Sequence, residues 1–303
     1  MRDAPFTLES SNFRLQLLPS YGGRIGRLQA RNGQNFIDIL CPYPDQDFDP
    51  IIWPKCGGFP LIPYSNRIEN AEFTFQASDY HLPVHPTASP HTLHGVCHTL
   101  PWQVISLGGN MIKLAVEYCG PQWPWPIHAE QCYTLHEKRL DIHYSLKNLG
   151  QTPMPGGIGF HPYFIAEDGF EANFQANREW LLGANCLPIS VSPCPNQKIK
   201  LTPQDWNELD LLGHFSDLAG DIVMQFGSST ISMSTSENLR HLVAFAPKGG
   251  KYLCLEPVSH VANMFNLSGF SADEIGMHVI PAGGILTGEV SIRWSETQRK
   301  SPF

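Results

Sequence analysis

The chain has 303 residues, 42% hydrophobic and 16% charged, with a formal net charge of -8. That composition suits a globular core, and its acidic balance excludes the basic face that nucleic acid requires. No apolar run reaches the roughly 18 residues of a membrane span, and Met1 to Ser11 lacks an apolar leader, so neither a membrane partner nor a signal peptide is expected.

Apolar alternation and turn residues predict the elements in order. Phe13, Leu15 and Leu17 fall on one face of a strand, and Tyr21-Gly22-Gly23 and Arg31-Asn32-Gly33 mark turns. Asp45 to Trp53 reads as a loop, and Gly57 to Ile68 is too rich in proline for a central strand. Met111 to Tyr118 and Arg139 to Lys147 alternate most clearly. Trp123 to His128 reads as a loop feeding a strand from Ala129 to Leu135. Strand signals thin out between Arg178 and Leu218, where Thr202, Pro203 and Asp205 predict one short helix. Further strands are expected at Ile222 to Phe226, Thr230 to Thr235, Leu239 to Phe245 and Glu289 to Trp294.

Many strands and no amphipathic helix of about 12 residues predict an all-β fold, a sandwich or barrel with few short helices. No repeat of fixed period favours a propeller, and no linker divides the composition, so residues 1–303 read as a single domain. The eight cysteines show no CxxC spacing and read as reduced thiols of a cytoplasmic protein.

Four places carry chemistry. Gly156, Gly157 and Gly159 precede His161, and Pro162 restricts His161 to extended backbone. His161 is a positioned acid or base, or a core histidine. Glu256 stands in the apolar stretch Cys254-Leu-Glu-Pro257, where a buried carboxylate needs a partner or a raised pKa; an ion pair with Arg67 is the structural alternative. Asn66-Arg67 offers a rigid donor fork amid prolines and aromatics. His91, His94, Cys97 and His98 fall within eight residues, but a structural zinc site wants a second ligand cluster elsewhere, so no metal is expected, and His94 is the functional candidate because Gly95 beside it leaves space for a ligand.

In order, Asn66-Arg67, Leu93-His94-Gly95, His161-Pro162-Tyr163-Phe164 and Leu255-Glu256-Pro257 resemble the aldose 1-epimerase (mutarotase) family, with softer matches at Tyr21-Gly-Gly-Arg-Ile-Gly-Arg-Leu28 and Ile280-Pro-Ala-Gly-Gly284. The resemblance covers nearly the whole chain and is nearest a bacterial subgroup of unassigned sugar specificity. It implies a large antiparallel β-sandwich of the galactose mutarotase-like supersandwich type. It also implies Glu256 as general base, His161 as general acid, and Asn66, Arg67 and His94 on sugar hydroxyls. A family aspartate would be Asp210, with Asp217 competing. Tyr163, Trp123, Trp125 and Phe265 are candidates to line the apolar face of the sugar. Opening a hemiacetal is proton transfer, so no cofactor is expected. The expected partner is a small-molecule sugar, free or as a hexose 6-phosphate held by Arg24, Arg27 or Lys55. The protein would be a monomer or homodimer, and a non-catalytic sugar binder on the same scaffold is the alternative from another class.

Overall fold

Residues 5–166, 170–194, 198–202, 211–226 and 229–296 are described by the computed structural model. Period-two patterning sets the faces: in the Phe13–Leu18 strand, Phe13, Leu15 and Leu17 are fully buried while the residues between them are half-buried. The same logic buries Leu140, Ile142, Tyr144 and Leu146 along Arg139–Asn148.

Two large sheets result, and every strand pair within them is antiparallel. The smaller has Phe6–Glu9, Phe13–Leu18, Arg24–Asn32, Gly58–Pro60 and Phe160–Pro162 in that spatial order, with Asn35–Asp38 on Arg24–Asn32. The larger has fourteen strands among the described residues. It runs from Gln103–Gly108 through Arg139–Asn148, Ile285–Glu296 and Phe170–Leu182 to Leu211–Leu218, His241–Ala246, Tyr252–Val258 and Phe164–Ile165. One apolar cluster spans both, joining Leu15, Ile25 and Leu28 of the smaller to Ile112, Ile142 and Leu255 of the larger. The one α-helix among the described residues is Ala272–Ile275, started by a Ser271–Glu274 capping box. The antiparallel β-sandwich with few short helices is therefore the observed architecture.

Four local expectations change. Trp123 to His128 belongs to the strand Trp123–Leu135. Pro124 and Pro126 are tolerated because pairing with Arg139–Asn148 begins only at Ile127, so their missing N–H groups break no bond on that side. Gly58–Pro60 does lie between two strands, but only Gly58 pairs with Arg24–Asn32, leaving Pro60 bonded on one side alone. The region from 178 to 218 holds parts of two long strands, Phe170–Leu182 and Leu211–Leu218; the first buries Ala172 and Ala176 among its aromatics, which mutes the apolar signal. The helix expected from Thr202 falls on residues 203–210, outside the described residues, and Leu239 sits in a short 3-10 turn before the His241–Ala246 strand.

Candidate active site

The chain leaves the smaller sheet at Pro162 and enters the larger at Phe164. This crossing lays residues 158–166 beside the Tyr252–Val258 strand in one antiparallel register. Ser259 N–H bonds Ile158 O at 2.8 Å, Gly159 bridges Val258, Phe164 pairs with Leu253, and Ala166 N–H bonds Lys251 O at 2.9 Å. That register sets His161 opposite Glu256 at a non-hydrogen-bonded position, where facing side chains come closest. At the hydrogen-bonded positions on either side, Pro162 faces Leu255 and Pro257 faces Phe160, so each position lacks one N–H donor.

His161 Nε2 lies 3.4 Å from Glu256 Oε1, with the side chains 6% and 3% exposed. His161 Nδ1 and Glu256 Oε2 have no protein partner. Burial raises the Glu256 carboxyl to about 8. Burial also drives His161 well below the ordinary imidazole value, and the neighbouring His94, Lys55, His98 and Arg24 lower it further. An imidazole held protonated by Glu256 is thus not the resting state. At neutral pH the Glu256 carboxyl keeps its proton beside a neutral His161.

Aromatic rings fix the imidazole. It stacks on Phe59 (4.6 Å between centroids) and Tyr163 (4.7 Å), and His94 approaches edge-on at 5.1 Å. Trp53 Nε1–H donates to the Tyr163 hydroxyl at 3.1 Å, so Tyr163 supports His161 with its ring while its oxygen is engaged elsewhere. Arg24 is fully buried; its Nε–H donates to Tyr21 O at 2.6 Å and its guanidinium lies 5.0 Å from the Phe59 ring centroid.

Asn66 and His94 both take left-handed backbone, φ 57° and 61°, which is strained for residues with a Cβ. Reciprocal bonds hold them: His94 N–H donates to Asn66 O at 3.0 Å and Asn66 N–H to His94 Nδ1 at 3.2 Å. The second bond makes Nδ1 an acceptor and puts the His94 proton on Nε2, a donor for a ligand. Gly95 at φ 69° packs on backbone rather than leaving ligand space, since a Cβ would sit 2.4 Å from Ile62 O. Among the described residues no carboxylate pairs with the Arg67 guanidinium, and Glu256 pairs with His161 instead.

The sequence profile of the aldose 1-epimerase family matches residues 6–293. The chain belongs to the aldose 1-epimerase family. The Escherichia coli (strain K12) uncharacterized protein YphB is 27% identical over 214 residues, spanning 67% of this chain and 72% of its own length. A galactose mutarotase-like protein from Clostridium acetobutylicum superposes with a TM-score of 0.81 at 17% identity, covering 96% of this chain and 94% of its own. The GalM/aldose epimerase homologue from C. elegans gives 0.81 at 15% identity, covering 97% and 100%. These last two likenesses carry the fold.

Within this aldose 1-epimerase family member, His161, Glu256, His94 and Tyr163 gather, and Asn66 and Arg67 join them through His94. Asp210 lies outside the described residues, and Asp217 is held by Arg178 at 2.7 and 3.1 Å. A residue missed in the sequence takes a place nearby. His214 faces Val243, which faces Glu256 across adjacent strands, so the three share one sheet face. His214 is 2% exposed, its Nε2 lies 3.5 Å from Asn66 Nδ2, and its Nδ1 is unpartnered. Trp53 was also missed, hidden in an irregular acidic segment. Trp123, Trp125 and Phe265 pack with Phe73 in the core. The cluster from His91 to His98 does not converge: His91 Nδ1 accepts from Asn70 N–H, while His98 is sandwiched by Trp53 and Phe59.

Proposed function

We propose that the protein interconverts the α and β anomers of a free hexose. With the sugar bound, the proton of the pair first passes from Glu256 to His161; Glu256 then takes the C1 hydroxyl proton and His161 protonates the ring oxygen; the aldehyde turns about C1–C2 and recloses with each step reversed. The observation that carries this reading is the buried, facing His161–Glu256 pair at 3.4 Å. The C1 hydroxyl and ring oxygen are bonded to one carbon, so a donor and acceptor this close can serve both.

Ring opening puts a proton on Glu256 and removes one from His161, leaving both side chains neutral. Burial favours that same placement, so the pocket's low polarity lowers the cost of the open-chain state. Arg67, Nε2–H of His94, Asn66 and His214 are the groups for the sugar hydroxyls. A phosphorylated hexose has less support: Arg27 is paired with Asp38 at 2.6 and 2.9 Å and Arg24 is fully buried, which leaves Lys55 alone of those three cations. A pure binder has no use for two opposed ionisable groups. Eight cysteines without a disulfide fit the cytoplasm as the compartment.

Polarimetry of freshly dissolved α-glucose and α-galactose is the test. The wild type accelerates mutarotation of at least one, and Glu256→Gln loses at least 100-fold of that acceleration, the usual scale of general acid–base catalysis. Equal rates with and without protein on every free hexose overturn the reading.

A further inference from the structure

The geometry points to a site for one soft divalent cation of the zinc class, formed by Cys254, His161 and Glu256, whose occupancy blocks the proton transfers proposed above. Cys254 and Glu256 stand two residues apart on one strand and so project to one face, and the register of the crossing places Tyr163 opposite Cys254 as it places His161 opposite Glu256. Ligand atoms of Cys254, His161 and Glu256 all lie within 4.8 Å of one another, and all three residues are buried. Tetrahedral zinc, with bonds of about 2.0–2.3 Å, needs ligand atoms about 3.3–3.6 Å apart. The His161–Glu256 separation of 3.4 Å already meets this, so only the sulfur has to close in. Glu256 Oε2 is unpartnered and buried, a polar atom awaiting a ligand.

The charges also suit a dication. Thiolate, carboxylate and neutral imidazole sum to -2, and thiolate favours zinc over magnesium or calcium. Three protein ligands leave one tetrahedral position for water or a sugar hydroxyl. Burial, Glu256 and Cys41 hold the Cys254 thiol well above its ordinary value, with Lys55 acting the other way, so the cation binds by displacing the protons of Cys254 and Glu256. A bound ion occupies the His161 lone pair and the Glu256 carboxylate together, so neither group can move a proton.

The inhibition rests on the reading of the pair as an acid and base; the binding does not. Protein freed of metal with a chelator is titrated with zinc chloride by calorimetry, and with cobalt(II) while following thiolate-to-cobalt charge-transfer absorption. One equivalent should bind the wild type, with that absorption, and Cys254→Ser should bind at least 10-fold more weakly and lose it. Cys254 moves no proton in the proposed reaction, so the variant keeps its mutarotation and resists zinc where the wild type is inhibited. Equal zinc affinity in the two proteins, or cobalt binding without the thiolate band, overturns the site. If Cys254→Ser does not fold, the wild-type cobalt spectrum decides alone. Absence of mutarotation in metal-free wild type sinks the proposed reaction and leaves the titrations to judge the cation site.

Discussion

Pro162 and Pro257 stand diagonally across the His161–Glu256 pair, each directly after one of its members. Ladder bonds persist beyond them at Ile158–Ser259 and at Ala166–Lys251. The prolines therefore hold a local gap in a ladder that is otherwise in register. Restoring an N–H lets the strands bond there and shifts the two side chains relative to each other. Pro257→Ala is expected to lower kcat about 10-fold with little change in KM, since misplacement acts on the transition state. Steady-state polarimetry over a range of sugar concentrations checks it, and an unchanged kcat removes the positional role of the gap.

The pair is active while it holds one proton. Above about 8 Glu256 releases it, and well below the ordinary imidazole range His161 gains a second. The pH profile of kcat/KM should be a broad plateau, with an alkaline limb near 8 and an acid limb well under 6.5. Trp53→Ala opens the wall around Tyr163 and admits water, so both limbs should move toward ordinary values and narrow the plateau. Identical limbs in the two proteins would count against burial as the cause.

Glu256 also leaves a mark on stability. Its folded pKa is raised, so between about 4.5 and about 8 the folded state keeps a proton that the unfolded chain has lost. Stability from this group is complete below 4.5 and declines as pH rises through that window, by on the order of 5 kcal/mol. Glu256→Gln has no such decline. Thermal melts from pH 4 to 9 should show the variant gaining on the wild type steadily with pH, and a constant gap between the two curves would contradict the buried carboxyl.

His214 should bind sugar rather than move protons. Its Nε2 faces the Asn66 amide and its Nδ1 is left over for a ligand. His214→Phe fills the space without the hydrogen bond and should raise KM about 10-fold, the cost of one lost bond of roughly 1.4 kcal/mol, with kcat within a few-fold. A collapse of kcat at constant KM would assign His214 to the proton transfers instead.

The pair was legible in the sequence because His161 and Glu256 each precede a proline, and a strand broken at an ionisable residue is a local signal. Its facing geometry was not, since it depends on a crossing between sheets that links residues far apart in the chain. His214 was hidden because its strand reads Leu-Leu-Gly-His-Phe-Ser-Asp-Leu, where glycine and polar residues break the apolar alternation. The role of Gly95 was misread because composition does not reveal that Ile62 and Pro63 lie against it. Met111–Gly120 and Arg139–Asn148 announced themselves by alternation; Phe170–Leu182 did not, because alanines mute its apolar face, and Trp123–Leu135 did not at its start, because its prolines say loop unless the neighbouring strand is known to begin late.

His161 comes from the smaller sheet and Glu256 from the larger, and the chain passes from one to the other within three residues of the histidine. The reacting atoms thus sit on the seam of the molecule. How the two halves are seated, a matter of interior volume far from any sugar, fixes the width of that seam. Methyl groups added or removed deep in the sandwich are therefore a means of tuning turnover without touching a single functional group.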